Sequence, residues 1–325
     1  NYLEFNSIRK RVAEVFATQQ EAMPMVEMSV ENCQQIDSAA QLLEFLNGAA
    51  ASIAAVERTI PVPDRLESAV TVLPVIDEDS PDNGFAHEKS IHGLVLLAGA
   101  RAAYVDFGSL TNDLEQALTT WLEDSTATKT IFDLKQHFKS LSAYGYTPHG
   151  VIEDPVLSSY VCGYIPAAKQ RTFNGMLTEL SDRYLGLSLP QPLQAPAQGE
   201  LFAVGPVVDL EYYGLVARYI QEIAYALHAD LVAKEQLALY ENIELPMASV
   251  LARMEILGIA LDSNNVSELK DYYGQHVESA TEAAYSVLGH EVNLSSPKQL
   301  QGVLFEELGL PTTRKLKSGY STDAD

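Results

Sequence analysis

The sequence has few cysteines and few positive charges. Its two cysteines, Cys33 and Cys162, are too few for a disulfide framework or a four-thiolate zinc site, and they indicate a reducing cytoplasm. Lysine and arginine total 21 against 44 aspartates and glutamates, which gives a formal net charge of −23. Because phosphate contacts come from Lys and Arg, this balance by itself argues against a nucleic-acid binder.

Long apolar runs are also missing. No stretch of about 18 or more uncharged apolar residues occurs, so we expect no membrane-spanning helix and no membrane partner. No basic segment followed by an apolar run opens the chain, so we expect no secretory signal in it. What is present is a hydrophobic fraction of 47% in 325 residues, which is enough for two or three packed domains.

The first half of the chain alternates between strand and helix patterns. A short strand at 25–30 and a helix opened by Ser38 are predicted before a series of apolar segments. The series comprises strands at 69–76, 92–98 and 102–107, a helix at 110–122, a strand at 129–132 and a helix through residue 141. This order predicts an α/β (α+β) fold in which helices pack on a mixed sheet.

The second half reads as helices with clear start and stop signals. Asp154 followed by Pro155 predicts a helix N-terminus, because Asp is a favoured N-cap and Pro fits the first helical position. An apolar stripe over 247–257 ends at Gly258, and a second long helix follows over 264–288. Ser296 then opens a capping box with Gln299, and its helix is expected to end at Gly309.

Ordered motifs in the last 85 residues carry a family resemblance. They are Glu244–Asp262, Asn293–Leu300, Val303–Pro311 and Lys315–Asp323. In this order and spacing they resemble the thumb domain of bacterial DNA polymerase I enzymes, which belong to the family-A DNA polymerases. Upstream, residues 129–190 resemble the 3′–5′ exonuclease-like domain of the same family, and the similarity extends back to about residue 1.

The resemblance implies a domain plan and a parent activity. Residues 1–242, with a lead-in at 1–62, would form a ribonuclease-H-like exonuclease fold, and 243–325 would form an all-helical, truncated thumb. The parent would be a monomeric DNA-directed DNA polymerase, a nucleotidyltransferase of replication and repair. Its palm and fingers would follow residue 325, where 321–324 begins to look like another helix start, and Mg²⁺ would bind in that palm. We expect no cofactor in this chain.

The same resemblance implies that the exonuclease-like domain has lost its catalytic carboxylates. Active members use four carboxylates and two divalent metals, with a tyrosine that orients the attacking water. Alignment places Leu73 and Val75 at the first pair, His137 at the second motif and Arg218 at the third. Apolar side chains cannot bind a hard cation, and a guanidinium repels one. The domain would then be a scaffold, and Arg218 would need a counter-anion.

A shifted register leaves an active metal-dependent 3′–5′ proofreading exonuclease open. In that register Asp77, Asp79 and Asp133 would be the metal ligands. The competing interpretation is a solvated acidic turn, because turn-forming residues follow at 81–84. No tyrosine in the chain is followed four residues later by aspartate, which argues against an active site of this type.

Basic and hydroxyl residues near the end of the chain form the candidate DNA contact. Lys and Arg supply charge, while hydroxyl groups and backbone N–H groups can donate to phosphate oxygens. By resemblance this is the thumb tip that holds duplex DNA, and a solvated basic loop is the alternative. The candidates are Asn293, Ser295, Lys298, Arg314, Lys315, Lys317, Ser318, Tyr320, Ser321 and Thr322.

Overall fold

The protein is represented by a computed structural model that describes residues 28–53, 62–76, 90–165, 172–190, 208–316 and 319–322. The strands are β1 (Glu31–Gln35), β2 (Val70–Ile76), β3 (Ile91–Ala98), β4 (Arg101–Asp106), β5 (Lys129–Thr130), β6 (Val151–Glu153), β7 (Lys315–Leu316) and β8 (Gly319–Tyr320). The helices are α1 (Ala39–Ile53), α2 (Asp64–Glu67), α3 (Asn112–Glu123), α4 (Leu134–Ser142), α5 (Pro155–Val161), α6 (Phe173–Leu185), α7 (Leu210–Ala233), α8 (Leu237–Leu239), α9 (Leu245–Leu257), α10 (Ser263–Leu288) and α11 (Pro297–Gln301).

Six strands form one mixed sheet in the order β1-β4-β3-β2-β5-β6. The consecutive strands β2, β3 and β4 are antiparallel, with Leu73 opposite Val95 and Val95 opposite Tyr104. Strand β5 pairs with β2 in parallel, and β6 pairs with β5 in parallel at one edge. Strand β1 lies parallel to β4 at the other edge. The predicted mixed sheet is therefore confirmed, with β2 at its centre.

The core lies on this sheet because its central strands are apolar on both faces. Strands buried on both faces have near-continuous hydrophobic runs rather than alternating patterns, and six of the seven residues of β2 are buried. Helix α3 adds one apolar stripe of Leu114, Leu118 and Leu122, four residues apart, after Thr111 caps its N-terminus. Helix α7 is buried along most of its 24 residues.

Most predicted helix boundaries are confirmed by their caps. Asp154 accepts a hydrogen bond from Val156 N–H at the start of α5, and Pro155 occupies the first turn. Gly258 follows α9 with φ of 68°, a left-handed conformation that glycine adopts without strain. At α11, Ser296 accepts from Gln299 N–H, but the Gln299 side chain accepts from Asn293 N–H instead of completing the predicted box.

Three local predictions differ from the structure. The first described strand is β1 at 31–35, whereas residues 25–27 of the predicted strand lie outside the described residues. Strand β6 was not predicted, because its three residues are too short to show a period. The segment expected to be all-helical also contains the hairpin of β7 and β8, where Gly319 has φ of 135°.

The chain divides into two compact units, one ending at Leu257 and one beginning at Gly258. Helix α9 belongs to the first unit because it packs on α4. There the Glu255 carboxylate lies 2.7 Å from Lys135 Nζ and 2.5 Å from Lys139 Nζ, and the Arg253 guanidinium lies over the Phe138 ring. The predicted division at 242/243 therefore falls just before a helix that packs with the unit preceding it. Among the described helices, none is long and apolar enough to cross a membrane.

Candidate functional sites

The two positions predicted to replace the first carboxylate pair are part of the core. Leu73 and Val75 lie on β2 and are 1% and 2% exposed. Side chains two residues apart on a strand share a face, so both point to the same side of the sheet. Hydrocarbon side chains in this setting offer no ligand atom to a divalent cation.

His137 lies in the first turns of α4 and is hydrogen-bonded as a structural residue. Its Nδ1 lies 2.5 Å from the carbonyl oxygen of Phe132, so Nδ1 carries the proton and donates. Burial lowers the pKa of His137, which keeps the ring neutral. The Phe173 ring covers it at 6.2 Å between centroids. These residues do not fit the two divalent metals of an active exonuclease.

Arg218 is buried on α7 and has the expected counter-anion. Its Nη2 lies 2.8 Å from Glu222 Oε1, and its Nη1 donates to the carbonyl of Gly99 at 3.0 Å and to Gln221 at 2.9 Å. Gly99 follows β3, whose register with β2 places this turn beside the start of β2. Leu73 and Val75 lie further along that strand. Arg218 therefore contacts the turn beside the start of β2 and is not shown to contact Leu73 or Val75, and its assignment to a metal position stays a prediction.

The alternative metal ligands are only partly described. Asp77 and Asp79 lie outside the described residues. Asp133 precedes α4 in a left-handed conformation with φ of 53°, and its backbone N–H donates to Asp154 Oδ1 at 2.9 Å. In the described part of the chain, no group of three or more His, Cys, Asp or Glu side chains could hold a metal ion.

Asp154 does more than the sequence predicted. Besides capping its own helix, its carboxylate accepts from the backbone N–H groups of Asp133 and Leu134 at the start of α4. Burial raises the pKa of Asp154 to about 7, while its backbone donors oppose the rise. The sequence predicted the cap of α5 alone. The cap of α4 depends on the pairing of β5 with β6, which brings Asp154 beside Asp133 and Leu134.

Glu153 is a buried carboxyl group that sequence reasoning missed. It is 0% exposed, and Tyr240 Oη donates to its Oε1 at 3.1 Å. The same Tyr240 oxygen accepts the backbone N–H of Asp154 at 2.7 Å. Burial raises the pKa of Glu153 to about 8. One phenol thus joins the end of β6 to the segment Tyr240–Glu244 that leads into α9.

Lys129 was also missed as a buried charged group. Its Nζ donates to the carbonyl oxygens of Asp124, Ala127 and His149 at 2.8–3.0 Å. The ammonium also lies 4.8 Å from the centroid of the Trp121 ring. Burial lowers the pKa of Lys129 to about 8. This side chain fastens the loop before β5 to the loop before β6.

The basic residues near the end of the chain lie on and beside the small hairpin. Arg314 and Lys315 are exposed, whereas Lys317 and Ser318 lie outside the described residues. The hairpin is closed by Ser321 N–H, which donates to Arg314 O at 2.9 Å, and by Thr313 Oγ1, which donates to Ser321 O. Thr322 follows, half-buried.

The hairpin packs beside α11 within the second unit. Tyr320 N–H donates to Gln301 Oε1 at 3.2 Å, and the Tyr320 ring lies against Phe305 at 5.7 Å between centroids. Tyr320 therefore has a packing role that the sequence did not indicate. On the α11 side, Lys298, Asn293 and Ser295 are exposed, and Asn293 Oδ1 accepts Ser295 N–H at 2.9 Å.

Comparison with known families gives two matches in chain order. Residues 82–179 match the family described as DNA polymerase I, ribonuclease H-like domain, and residues 263–325 match DNA polymerase family A. The first of these confirms the predicted ribonuclease-H-like fold. The second lies within the unit that begins at Gly258.

Individual relatives agree with these matches. DNA polymerase I of Mycobacterium tuberculosis is 39% identical over 235 residues, 71% of this chain and 25% of the relative. DNA polymerase I of Bacillus subtilis is 28% identical over 245 residues, 74% of this chain and 26% of the relative. The chain thus spans about a quarter of the length of these relatives.

A solved structure extends the likeness to nearly the whole chain. It is described as the POL domain of Pol1 from M. smegmatis in complex with DNA primer-template and dNTP. The likeness has a TM-score of 0.68 at 30% identity and covers 90% of this chain and 44% of that one. The ordered motifs, the central mixed sheet and these relatives agree, and the chain belongs to the bacterial DNA polymerase I family.

Proposed function

We propose that the first unit is a catalytically inactive scaffold and that the second unit binds duplex DNA for a parent DNA-directed DNA polymerase. The functional division would lie at 242/243. The parent would act as a monomer in the cytoplasm, in replication and repair. The observation that carries this proposal is the likeness to a polymerase domain bound to primer-template.

The scaffold role is supported by what occupies the expected metal positions. Leu73 and Val75 are buried hydrocarbon, and His137 uses its Nδ1–H on a carbonyl oxygen. Phosphodiester hydrolysis by two metals needs anionic oxygen ligands that hold the ions about 3.5–4 Å apart. A neutral imidazole and two aliphatic side chains supply none of these ligands.

The DNA-binding role is supported by exposed cations beside a short hairpin. Arg314 and Lys315 extend from the hairpin edge, and Lys298 lies in α11, to which the hairpin is bound through Gln301. Contacts of this kind go to phosphate and sugar, so binding should be independent of sequence and should weaken steeply with salt. The net charge of −23 opposes binding through the rest of the surface.

Duplex binding by the 325-residue chain tests this proposal. The affinity for a fluorescent duplex would be measured against salt concentration for the unsubstituted chain and for Arg314→Ala/Lys315→Ala. Losing two phosphate contacts should reduce the magnitude of the slope of log K against log salt by about 1.8, since each contact contributes roughly 0.9.

Lys270→Ala is the matched control, because it removes an exposed lysine of α10 in the same unit. It should leave the slope within about 0.3 of the unsubstituted value, well below one phosphate contact. An equal loss in the control and the double variant would contradict a contact localised at the hairpin. The absence of any salt-dependent duplex binding by the unsubstituted chain would contradict the DNA-binding role itself.

A further inference from the structure

We propose that Glu153 is a proton-dependent latch, which holds the segment Tyr240–Glu244 against β6 only while its carboxyl group carries a proton. The latch would couple pH to the attachment of the segment leading into α9. It acts within the first unit and does not depend on DNA binding.

The geometry around Glu153 favours the neutral acid. Its Oε1 accepts from Tyr240 Oη, but its Oε2 is buried and has no hydrogen-bond partner in the described structure. A buried carboxylate needs several donors or a cation to offset its loss of hydration. A protonated carboxyl group needs less compensation, because it carries no net charge.

The charged groups that face Glu153 do not supply the missing cation. His228 on α7 is nearest, with Nδ1 4.0 Å from Oε2, too far for a hydrogen bond, and burial lowers the pKa of His228. Asp154 and Glu241 add negative charge on either side. The Ser158 hydroxyl lowers the pKa of Glu153, but it donates its proton to the Asp154 carbonyl oxygen at 3.0 Å. The Cys162 thiol also interacts electrostatically with Glu153. Asp133 acts on Asp154, and Arg65 of α2 lies 3.8 Å from Glu241.

Tyr240 links the protonation state of Glu153 to the position of the segment Tyr240–Glu244. The Tyr240 side chain is 0% exposed, and its oxygen bridges the Glu153 carboxyl group and the Asp154 N–H. Hydration would stabilise the ionised Glu153 carboxylate. Water can reach it only if the Tyr240 ring, which covers it, moves away. That movement would release Tyr240–Glu244 while the sheet stays folded.

The sign of the pH effect follows from linkage. The pKa of Glu153 is raised from 4.5 to about 8 in the closed state, so the closed state binds the proton more tightly. The stabilisation is complete below about pH 4.5 and is lost as the pH rises through about 8. Between pH 6 and 7 the opening constant should rise about tenfold, because one proton is released on opening, and the rise should become smaller as the pH approaches 8.

Amide hydrogen exchange of the chain at pH 6, 7 and 8 tests the latch. Protection factors for the amides of 237–249 should fall about fiftyfold over this range, with the dependence flattening as the pH reaches the closed-state pKa of about 8. Amides of β3 report global unfolding and should keep their protection. In Glu153→Gln, which retains an oxygen acceptor for Tyr240 but cannot titrate, protection of 237–249 should lose most of its dependence on pH, and Asp154 alone would account for what remains.

The matched control is Glu241→Gln, which removes a neighbouring carboxylate that is exposed. It should keep most of the pH-dependent loss of protection. The proposal is overturned if the unsubstituted chain is equally protected at pH 6 and 8, or if Glu153→Gln keeps the pH dependence. Should Glu153→Gln fail to fold, carboxyl ¹³C NMR of the unsubstituted chain decides: a Glu153 midpoint near 8 supports the latch, and one below 5 overturns it.

Discussion

Asp154 Oδ2 accepts a 2.9 Å hydrogen bond from the backbone N–H of Leu134, although 20 residues separate the two. Leu134 is the first residue of α4, and Asp154 is the N-cap of α5. One carboxylate therefore satisfies donors at the N-termini of two helices, where the helix dipoles also favour a negative charge.

Replacing Asp154 by alanine should be far more damaging than the loss of an ordinary cap. Each lost cap costs about 1 kcal/mol, and unsatisfied buried N–H groups add to this, so we expect unfolding free energy to fall by about 3 kcal/mol. Chemical denaturation of Asp154→Ala measures it. Thr111→Ala, which removes the single cap of α3, should lower the same quantity by only about 1 kcal/mol. Equal losses in the two variants would contradict the double-cap role.

Arg218 and Glu222 should behave as a coupled buried pair. Glu222→Gln leaves a buried guanidinium without its carboxylate, so we expect a loss of about 3 kcal/mol in unfolding free energy. Arg218→Met combined with Glu222→Gln should lose less than the sum of the two single variants, with a coupling energy of about 2 kcal/mol. Additive single effects in this double-mutant cycle would show that the pair is not energetically coupled.

Lys129 should be required for stability, although it is a lysine in the core. Lys129→Met keeps the aliphatic stem but leaves the carbonyl oxygens of Asp124, Ala127 and His149 without their donor. We expect a loss of about 2–4 kcal/mol in unfolding free energy. Lys135→Met, which removes a half-exposed surface pair with Glu255, should cost less than about 1 kcal/mol. A smaller loss for Lys129→Met than for Lys135→Met would refute the fastening role.

The sheet and most helix boundaries were predictable because their signals are local. The β2 pattern, the Asp154–Pro155 cap and the Gly258 stop are each read from a few adjacent residues. Strand β6 and the hairpin of β7 and β8 were missed because segments of two or three residues show no periodicity.

The candidate sites were predictable only in part, because their contacts join residues distant in sequence. The counter-anion of Arg218 was expected and is Glu222, one helical turn away. The contact of Arg218 with Gly99 depends on how α7 crosses the sheet, which no local pattern specifies. The hydrogen bond from Tyr240 to Glu153 joins residues that are 87 positions apart, so no local pattern specifies it either.

Nuclease activity tests the central claim most directly, that the exonuclease-like unit is a scaffold. The 325-residue chain would be incubated with uniformly labelled single-stranded DNA and either Mg²⁺ or Mn²⁺, beside a sample containing chelator. With Leu73, Val75 and His137 at the metal positions, the account predicts no mononucleotide release above the chelator control. Processive release of mononucleotides that depends on metal and is abolished by Asp77→Ala would contradict it.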